Sequence, residues 1–290
     1  GVVMSVSGEG DLAQYSVFLD GQFRVFFEEQ IRPLVVNKTN WVDRDTFRSY
    51  LTSCLINTPS AKNLYSLNSA RIDYVPYQFR PALKILKADE PRILIADSVG
   101  VGKTIEAGLI VKELQAHSEL NRIAIICPKP LVAEKKWEDE MRDKFDEDFI
   151  PLDGPALRQA LNATDRDGHW PDNLSRVIIP YSIFDELAYE GNKEKVGAKA
   201  HGRIYGLSEV FKWLHFDLVI VDEAHHIRNG SIQKEKAYAY KATKIFCDRA
   251  DAVVMLTATP LQNSTHDLYT LLNVLRPDLI IDELTFNMMS

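Results

Sequence analysis

Ala96-Asp97-Ser98-Val99-Gly100-Val101-Gly102-Lys103-Thr104 follows the apolar run Ile93-Leu94-Ile95 and leads into Ile105-Glu106-Ala107-Gly108-Leu109-Ile110. Buried strand, glycine turn, helix is the context that a phosphate-binding loop requires. Gly100 and Gly102 let the backbone curl so that successive N–H groups converge on an anion. A helix opening at Lys103 turns its positive end toward the same anion. Lys103 is the residue type that neutralises β and γ phosphates, and Thr104 supplies the hydroxyl that reaches Mg²⁺. The strict pattern puts glycine at position 97, where this chain has Asp97.

Outward from this loop, short apolar runs alternate with amphipathic segments from Tyr74 onward. The runs are Ile93-Leu94-Ile95-Ala96, Ile123-Ala124-Ile125-Ile126-Cys127, Val177-Ile178-Ile179, Leu218-Val219-Ile220-Val221 and Val253-Val254-Met255-Leu256. Strands apolar on both faces belong to a parallel sheet covered by helices on each side. The predicted fold over residues 74–290 is therefore α/β, three layers with a central parallel sheet. The stretch of about 150–215 is polar and turn-rich, and part of it reads as an insertion.

The first 36 residues have a different rhythm. Val2 to Val6, Tyr15 to Leu19 and Phe23 to Phe27 alternate as strands, and Asp20-Gly21 between two of them predicts a tight hairpin turn. Three strands cannot bury a core, so a small β-rich, barrel-like module is expected here. Residues 37–73 read as a helical connector, with Phe47, Tyr50, Leu51, Cys54 and Leu55 on one helical face.

With 34 basic and 41 acidic residues the net charge is −7, which excludes a nucleic-acid binder that works by overall positive charge. A local basic groove is not excluded. No run approaches the roughly 18 apolar residues of a membrane span. The start, Gly1-Val2-Val3-Met4, lacks the plan of a secretory signal. Cys54, Cys127 and Cys247 are odd in number and have no metal-ligand spacing, which predicts free thiols in a reducing, cytoplasmic setting.

Two further strand ends carry chemistry. Leu218 to Val221 delivers Asp222-Glu223-Ala224-His225, where Asp222 can hold Mg²⁺ and Glu223 can orient or deprotonate an attacking water. Leu256-Thr257-Ala258-Thr259-Pro260 ends another strand, and ligand sites of open α/β sheets gather at that edge. His225 reads as a link between the acidic box and Thr257 and Thr259. The tryptophans Trp41, Trp137, Trp170 and Trp213 read as packing residues.

Together these segments resemble the first RecA-like lobe of a superfamily-two helicase-type ATPase of the Swi/Snf branch, and within it the bacterial RapA (HepA)-like ATPases. Pro76-Tyr77-Gln78 is similar to the family's glutamine motif. Asp97 to Thr104 matches a motif that begins with Asp, which accounts for Asp97 in place of glycine; Ser98 departs from the family's usual Glu. Ile126-Cys127-Pro128-Lys129-Pro130-Leu131 with Trp137 beyond it, Asp222 to Asn229, and Leu256 to Asn263 match the later motifs.

The resemblance implies ATP with Mg²⁺ as ligand. The nucleotide would lie against Gln78, Asp97, Ser98, Val99, Gly100, Val101, Gly102, Lys103 and Thr104, with Gln78 reading the adenine. Lys103 and Glu223 would be catalytic, and Thr104 and Asp222 would hold the metal. It implies double-stranded DNA as track, touched by Lys129, Tyr181 and Ser182. It also implies a second RecA-like lobe bearing an arginine finger. None is found after the third motif, so the sequence is expected to be part of a longer protein and nearly inactive alone. Such motors serve RNA-polymerase recycling, chromosome maintenance and phage defence, so RNA polymerase or a defence-system component is the expected protein partner. A strand-separating RNA or DNA helicase and a nucleotide-gated module that no longer hydrolyses are the competing readings.

Overall fold

The computed structural model describes residues 2–7, 13–19, 22–27, 30–31, 64, 70–98, 100–192, 203–227, 234–259, 265–279 and 286. The chain divides into two compact units, residues 1–54 and 55–290. The predicted connector helix, with Cys54 and Trp41, lies outside the described residues, as do Val99, Arg228, Asn229 and Pro260 to Asn263.

The first unit holds an antiparallel sheet of β1 (Val2–Ser7), β2 (Gln14–Leu19) and β3 (Gln22–Phe27) in that order. Leu19 pairs with Gln22, the register that a two-residue hairpin connection imposes. Among the described residues it is an open sheet. It exposes Val3, Met4, Val6, Val25 and Phe27, as expected for strands too few to enclose a core.

The second unit is the predicted layered α/β domain. Its strands are β4 (Arg92–Ile95), β5 (Ile123–Cys127), β6 (Ile150–Pro151), β7 (Arg176–Pro180), β8 (Phe216–Val221) and β9 (Ala250–Leu256). They form one sheet in the order β4-β9-β8-β5-β7-β6, and every neighbouring pair is parallel. All five apolar runs read from the sequence are strands of this sheet.

Successive residues of the central strands bury themselves in two different cores. Ala124, Ile126, Val177, Ile179, Val219 and Val221 face one core with Trp170, Phe216 and Phe246. Ile123, Ile125, Cys127, Ile178, Leu218 and Ile220 face the other with Leu109, Ile110 and Phe145. The period of two along a strand thus produces both layers of the sandwich.

Residues 150–215, read in part as an insertion, contribute two sheet strands, β6 and β7. Leu157 and Leu161 of α-helix Gly154–Asp167, with Trp170, Leu207 and Val210, are completely buried in the first core. Among its described residues, polar side chains such as Arg166 and Asp167 stay exposed at the end of that helix.

Helix Lys103–His117 and helix Lys136–Phe145 close the second core. Trp137, Met141 and Phe145 recur every four residues and are buried together. Gly108 lets the two helices approach, because a Cβ there would run into the Phe145 ring. At the lower rim of this layer Glu147, nearly buried, accepts from Lys112 Nζ at 2.5 Å and Gln115 Nε2 at 2.9 Å, with Arg176 Nε 3.0 Å away.

Gly108→Ala should lower the melting temperature by several degrees, since overpacking a filled core costs about 1–3 kcal/mol. Alanine's better helix propensity works the other way by about 1 kcal/mol. A melting temperature equal to or above the parent's would show that the Phe145 ring yields freely.

Candidate nucleotide site

Register brings the site together. Ile95 pairs with Leu256, and Val221 pairs with Met255, so β4, β9 and β8 end level with one another. The loop after β4, Thr257 after β9 and Asp222 after β8 therefore share the carboxyl edge of the sheet, where open α/β folds bind ligands. Thr257 donates its N–H to Ile95 O at 3.0 Å, and Asp222 donates its N–H to Ile126 O at 2.8 Å. Each ladder thus continues one residue past its strand.

The glycine turn has the conformation its sequence demands. Gly100 has φ +85° and Gly102 φ +94°, a region that L side chains rarely occupy. Gly102 is also held close by contact: a Cβ there would collide with the Gln78 amide. Gln78 Nε2 donates to Val101 O at 2.9 Å, and Tyr77 Oη donates to the same carbonyl at 2.8 Å. Gln78 is nearly buried. From inside the loop, Lys103 Nζ donates to Asp97 O and Ser98 O, each at 3.1 Å. A cleft of about 380 Å³ is lined by Gly100, Gly102, Lys103, Thr104, Asp222 and Glu223.

Asp222 is 5% exposed, and each of its oxygens has a donor. Oδ1 accepts from Glu223 N–H at 2.8 Å and Oδ2 from Trp137 Nε1–H at 2.9 Å. Burial pushes the carboxyl above its usual range, and these two hydrogen bonds pull it back. Glu223 has φ +48°, a left-handed backbone in a residue other than glycine, which aims its side chain away from the strand direction. His225 Nδ1 lies 3.1 Å from Glu223 Oε2 without hydrogen-bond geometry, and the His225 ring stacks on His226 at 4.5 Å. Thr257 is buried, and its Oγ1 accepts from Thr259 N–H at 3.2 Å.

The donor set fits a nucleotide and its metal. A turn with two positive-φ glycines, one of them (Gly102) without room for a Cβ, leading into a lysine fits a phosphate cradle. The Thr104 hydroxyl and Asp222 carboxylate lining the same cleft are hard oxygen donors of the kind Mg²⁺ takes.

A family model described as the SNF2-related domain matches residues 82–289. The chain belongs to the SNF2-related family. RNA polymerase-associated protein RapA of Pasteurella multocida (strain Pm70) is 28% identical over 283 residues, covering 96% of this chain and 26% of that protein. RNA polymerase-associated protein RapA of Haemophilus influenzae (strain PittEE) is 29% identical over 247 residues, covering 84% of this chain and 24% of that protein. The chain spans about a quarter of the length of these curated relatives.

Two solved structures are similar in fold. The Sulfolobus solfataricus SWI2/SNF2 ATPase core in complex with dsDNA superposes with a TM-score of 0.54 at 19% identity, covering 78% of this chain and 40% of that one. The Sulfolobus solfataricus SWI2/SNF2 ATPase core domain gives 0.52 at 19% identity, covering 80% and 41%. The SNF2-related lobe is thus RecA-like in architecture.

Within the SNF2-related lobe, sequence reasoning missed three relationships. Trp137, read as a packing residue, is buried but also bonds Asp222. No spacing rule links positions that are 85 residues apart. Tyr181, read as a DNA contact, is corrected by its burial: its hydroxyl donates to Asp222 O at 2.9 Å, and its ring lies 5.7 Å from that of His226. Such a hydroxyl has no access to a DNA phosphate, whereas Lys129 and Ser182 are exposed. Glu106 is 1% exposed, and neither of its oxygens finds a hydrogen-bond donor in good geometry. Burial, then the charge of Asp97, raises its pKa from 4.5 to about 7, with Lys103 opposing.

In the nucleotide-free protein Glu106 keeps its proton up to about pH 7, while in the unfolded chain it ionises near 4.5. Its contribution to stability is intact below the lower value and is lost as the pH rises through the higher, by roughly 3 kcal/mol in all. Glu106→Gln should match the parent's melting temperature near pH 5 and exceed it near pH 8. Parallel melting curves across that interval would contradict a buried, protonated Glu106.

Proposed function

We propose that this lobe binds ATP with Mg²⁺ and is the N-terminal half of a motor that hydrolyses ATP to move along double-stranded DNA. The observation that carries the reading is the convergence of Lys103, Thr104, Asp222 and Glu223 on one cleft at the carboxyl edge of a RecA-like sheet.

Lys103 neutralises the β and γ phosphates, whose oxygens replace the Asp97 and Ser98 carbonyls at Nζ. The turn from Asp97 through Ser98, Val99, Gly100 and Val101 to Gly102 supplies backbone N–H groups. Thr104 and Asp222 hold the metal, which draws charge from the phosphates when bound. Glu223 orients and deprotonates the attacking water, with His225 beside it. Gln78 faces the base; because its amide is anchored on Val101 O, a nucleotide that engages it also re-sets the loop. Thr257 and Thr259 sit between loop and acidic box and couple them.

Hydrolysis is completed by an arginine from a second RecA-like lobe of the same polypeptide, and closure of the two lobes drives the step along the duplex. DNA as track is supported by the dsDNA complex of a structural neighbour. Exposed Lys129 and Ser182 are the phosphate contacts, which position a motor without reading sequence. RNA polymerase enters as a partner through the names of the matched relatives.

In the full-length protein Lys103→Ala should eliminate DNA-stimulated phosphate release, measured at saturating Mg²⁺ and ATP. Unchanged turnover would sink the assignment. Residues 1–290 alone should bind nucleotide weakly and release almost no phosphate with or without DNA. Robust stimulated turnover by that piece would remove the need for a second lobe, and efficient strand displacement would favour a helicase.

A further inference from the structure

Trp137 is the second residue of the helix Lys136–Phe145, two residues after Lys135, whose φ of +54° turns the chain sharply into it. Its ring is 1% exposed and belongs to the core beside Met141 and Phe145. A buried indole usually satisfies its N–H on a nearby carbonyl, as Trp170 does here on Leu174 O. Trp137 instead reaches across the layer to Asp222 Oδ2. The opposite oxygen, Oδ1, takes the N–H of Glu223, and the carbonyl of Asp222 takes the hydroxyl of Tyr181. Three different elements therefore fix one residue, and among the described residues the indole is the hydrogen-bond donor that reaches the carboxylate from outside the acidic box.

We propose that Trp137 is a positioning residue for the magnesium site, its indole N–H setting the rotation of the Asp222 carboxylate toward the phosphate cleft. The inference rests on the nucleotide reading above. Donors behind a metal-binding carboxylate fix its orientation, and losing one costs about 10- to 100-fold in metal affinity. Without the indole, Asp222 keeps its backbone bond to Ile126 O just past the strand and its Glu223 N–H, but its plane is free to turn about that single side-chain anchor. The same helix lines the cleft with Lys136, Glu140 and Lys144, so a shift of Trp137 also moves charges that face the phosphates.

Trp137→Phe keeps an aromatic ring in the pocket and removes the N–H, together with the volume of the fused ring; the cavity this leaves weakens packing whether or not metal is present. The measurement is ATP binding to residues 1–290 by calorimetry, once with Mg²⁺ and once with EDTA. The parent should bind ATP more tightly with Mg²⁺; the variant should lose about 10-fold or more of that gain, while its affinity in EDTA stays within about twofold. An undiminished gain, or equal losses with and without metal, would reduce Trp137 to packing. A parent that gains nothing from Mg²⁺ would overturn the nucleotide reading itself, a result separable from the variant's.

Should Trp137→Phe not fold, the parent still answers. Its indole ¹H–¹⁵N resonance, assigned by elimination with Trp41→Phe, Trp170→Phe and Trp213→Phe, should shift when Mg²⁺ is added to the ATP-bound protein. A resonance indifferent to the metal would overturn the proposal.

Discussion

The parallel ladders between β4, β9, β8 and β5 fix the register of four carboxyl ends, and the groups of the candidate site hang from those ends. A parallel strand has no side to give to solvent, so β5, β8 and β9 are buried on both faces and cannot slip without moving a whole core. The level endings of β4 and β8 place a lysine loop and an acidic box on either side of Thr257. The cleft's geometry is thus a consequence of backbone pairing deep in the sheet. Its loops need only the local chemistry of glycine and a few polar side chains.

That division explains what could be read from the sequence. Runs such as Ile123 to Cys127 announce themselves because every residue is apolar, and the positive φ of Gly100 and Gly102 is announced by the glycines. β6 is two residues long, Ile150 and Pro151, and carries no run to find. Two helices between 150 and 215 hide because they are only five and four residues long, Glu186–Glu190 and Leu207–Val210, and bury only a few residues each. The contacts that escaped are those between residues remote in sequence. Tyr181 and Trp137 both look like ordinary aromatics until tertiary structure sets a hydroxyl on one side of Asp222 and an indole on the other.

Two buried acids near the glycine turn are treated differently: Asp222 lines the cleft, and Glu106 lines a neighbouring pocket with Asp97. Asp222 has a donor for each carboxylate oxygen, which offsets part of the cost of burying its charge. Glu106 has none in good geometry and lies beside the like charge of Asp97, so the neutral form is the cheaper one to bury. An acid that must stay charged to hold a metal is surrounded by donors; one that needs no charge is left without them. The proposed roles and the local solvation therefore agree residue by residue.

The same logic reconciles a net charge of −7 with a phosphate ligand. Lys103, Lys136 and Lys144 line one cleft with Asp222, Glu223 and Glu140. In the proposed reading the lysines would draw a triphosphate and the acids its metal, so a cleft of balanced charge would favour the two together. Each alone meets repulsion: the bare anion from the carboxylates, the bare cation from the amines. The cleft is open to solvent, where salt screens charges beyond roughly 8–10 Å, so the sign of the distant surface has little effect on it. For the proposed motor, overall acidity would then bear on long-range encounter with DNA, while the nucleotide would be governed by the few charges at the edge of the sheet.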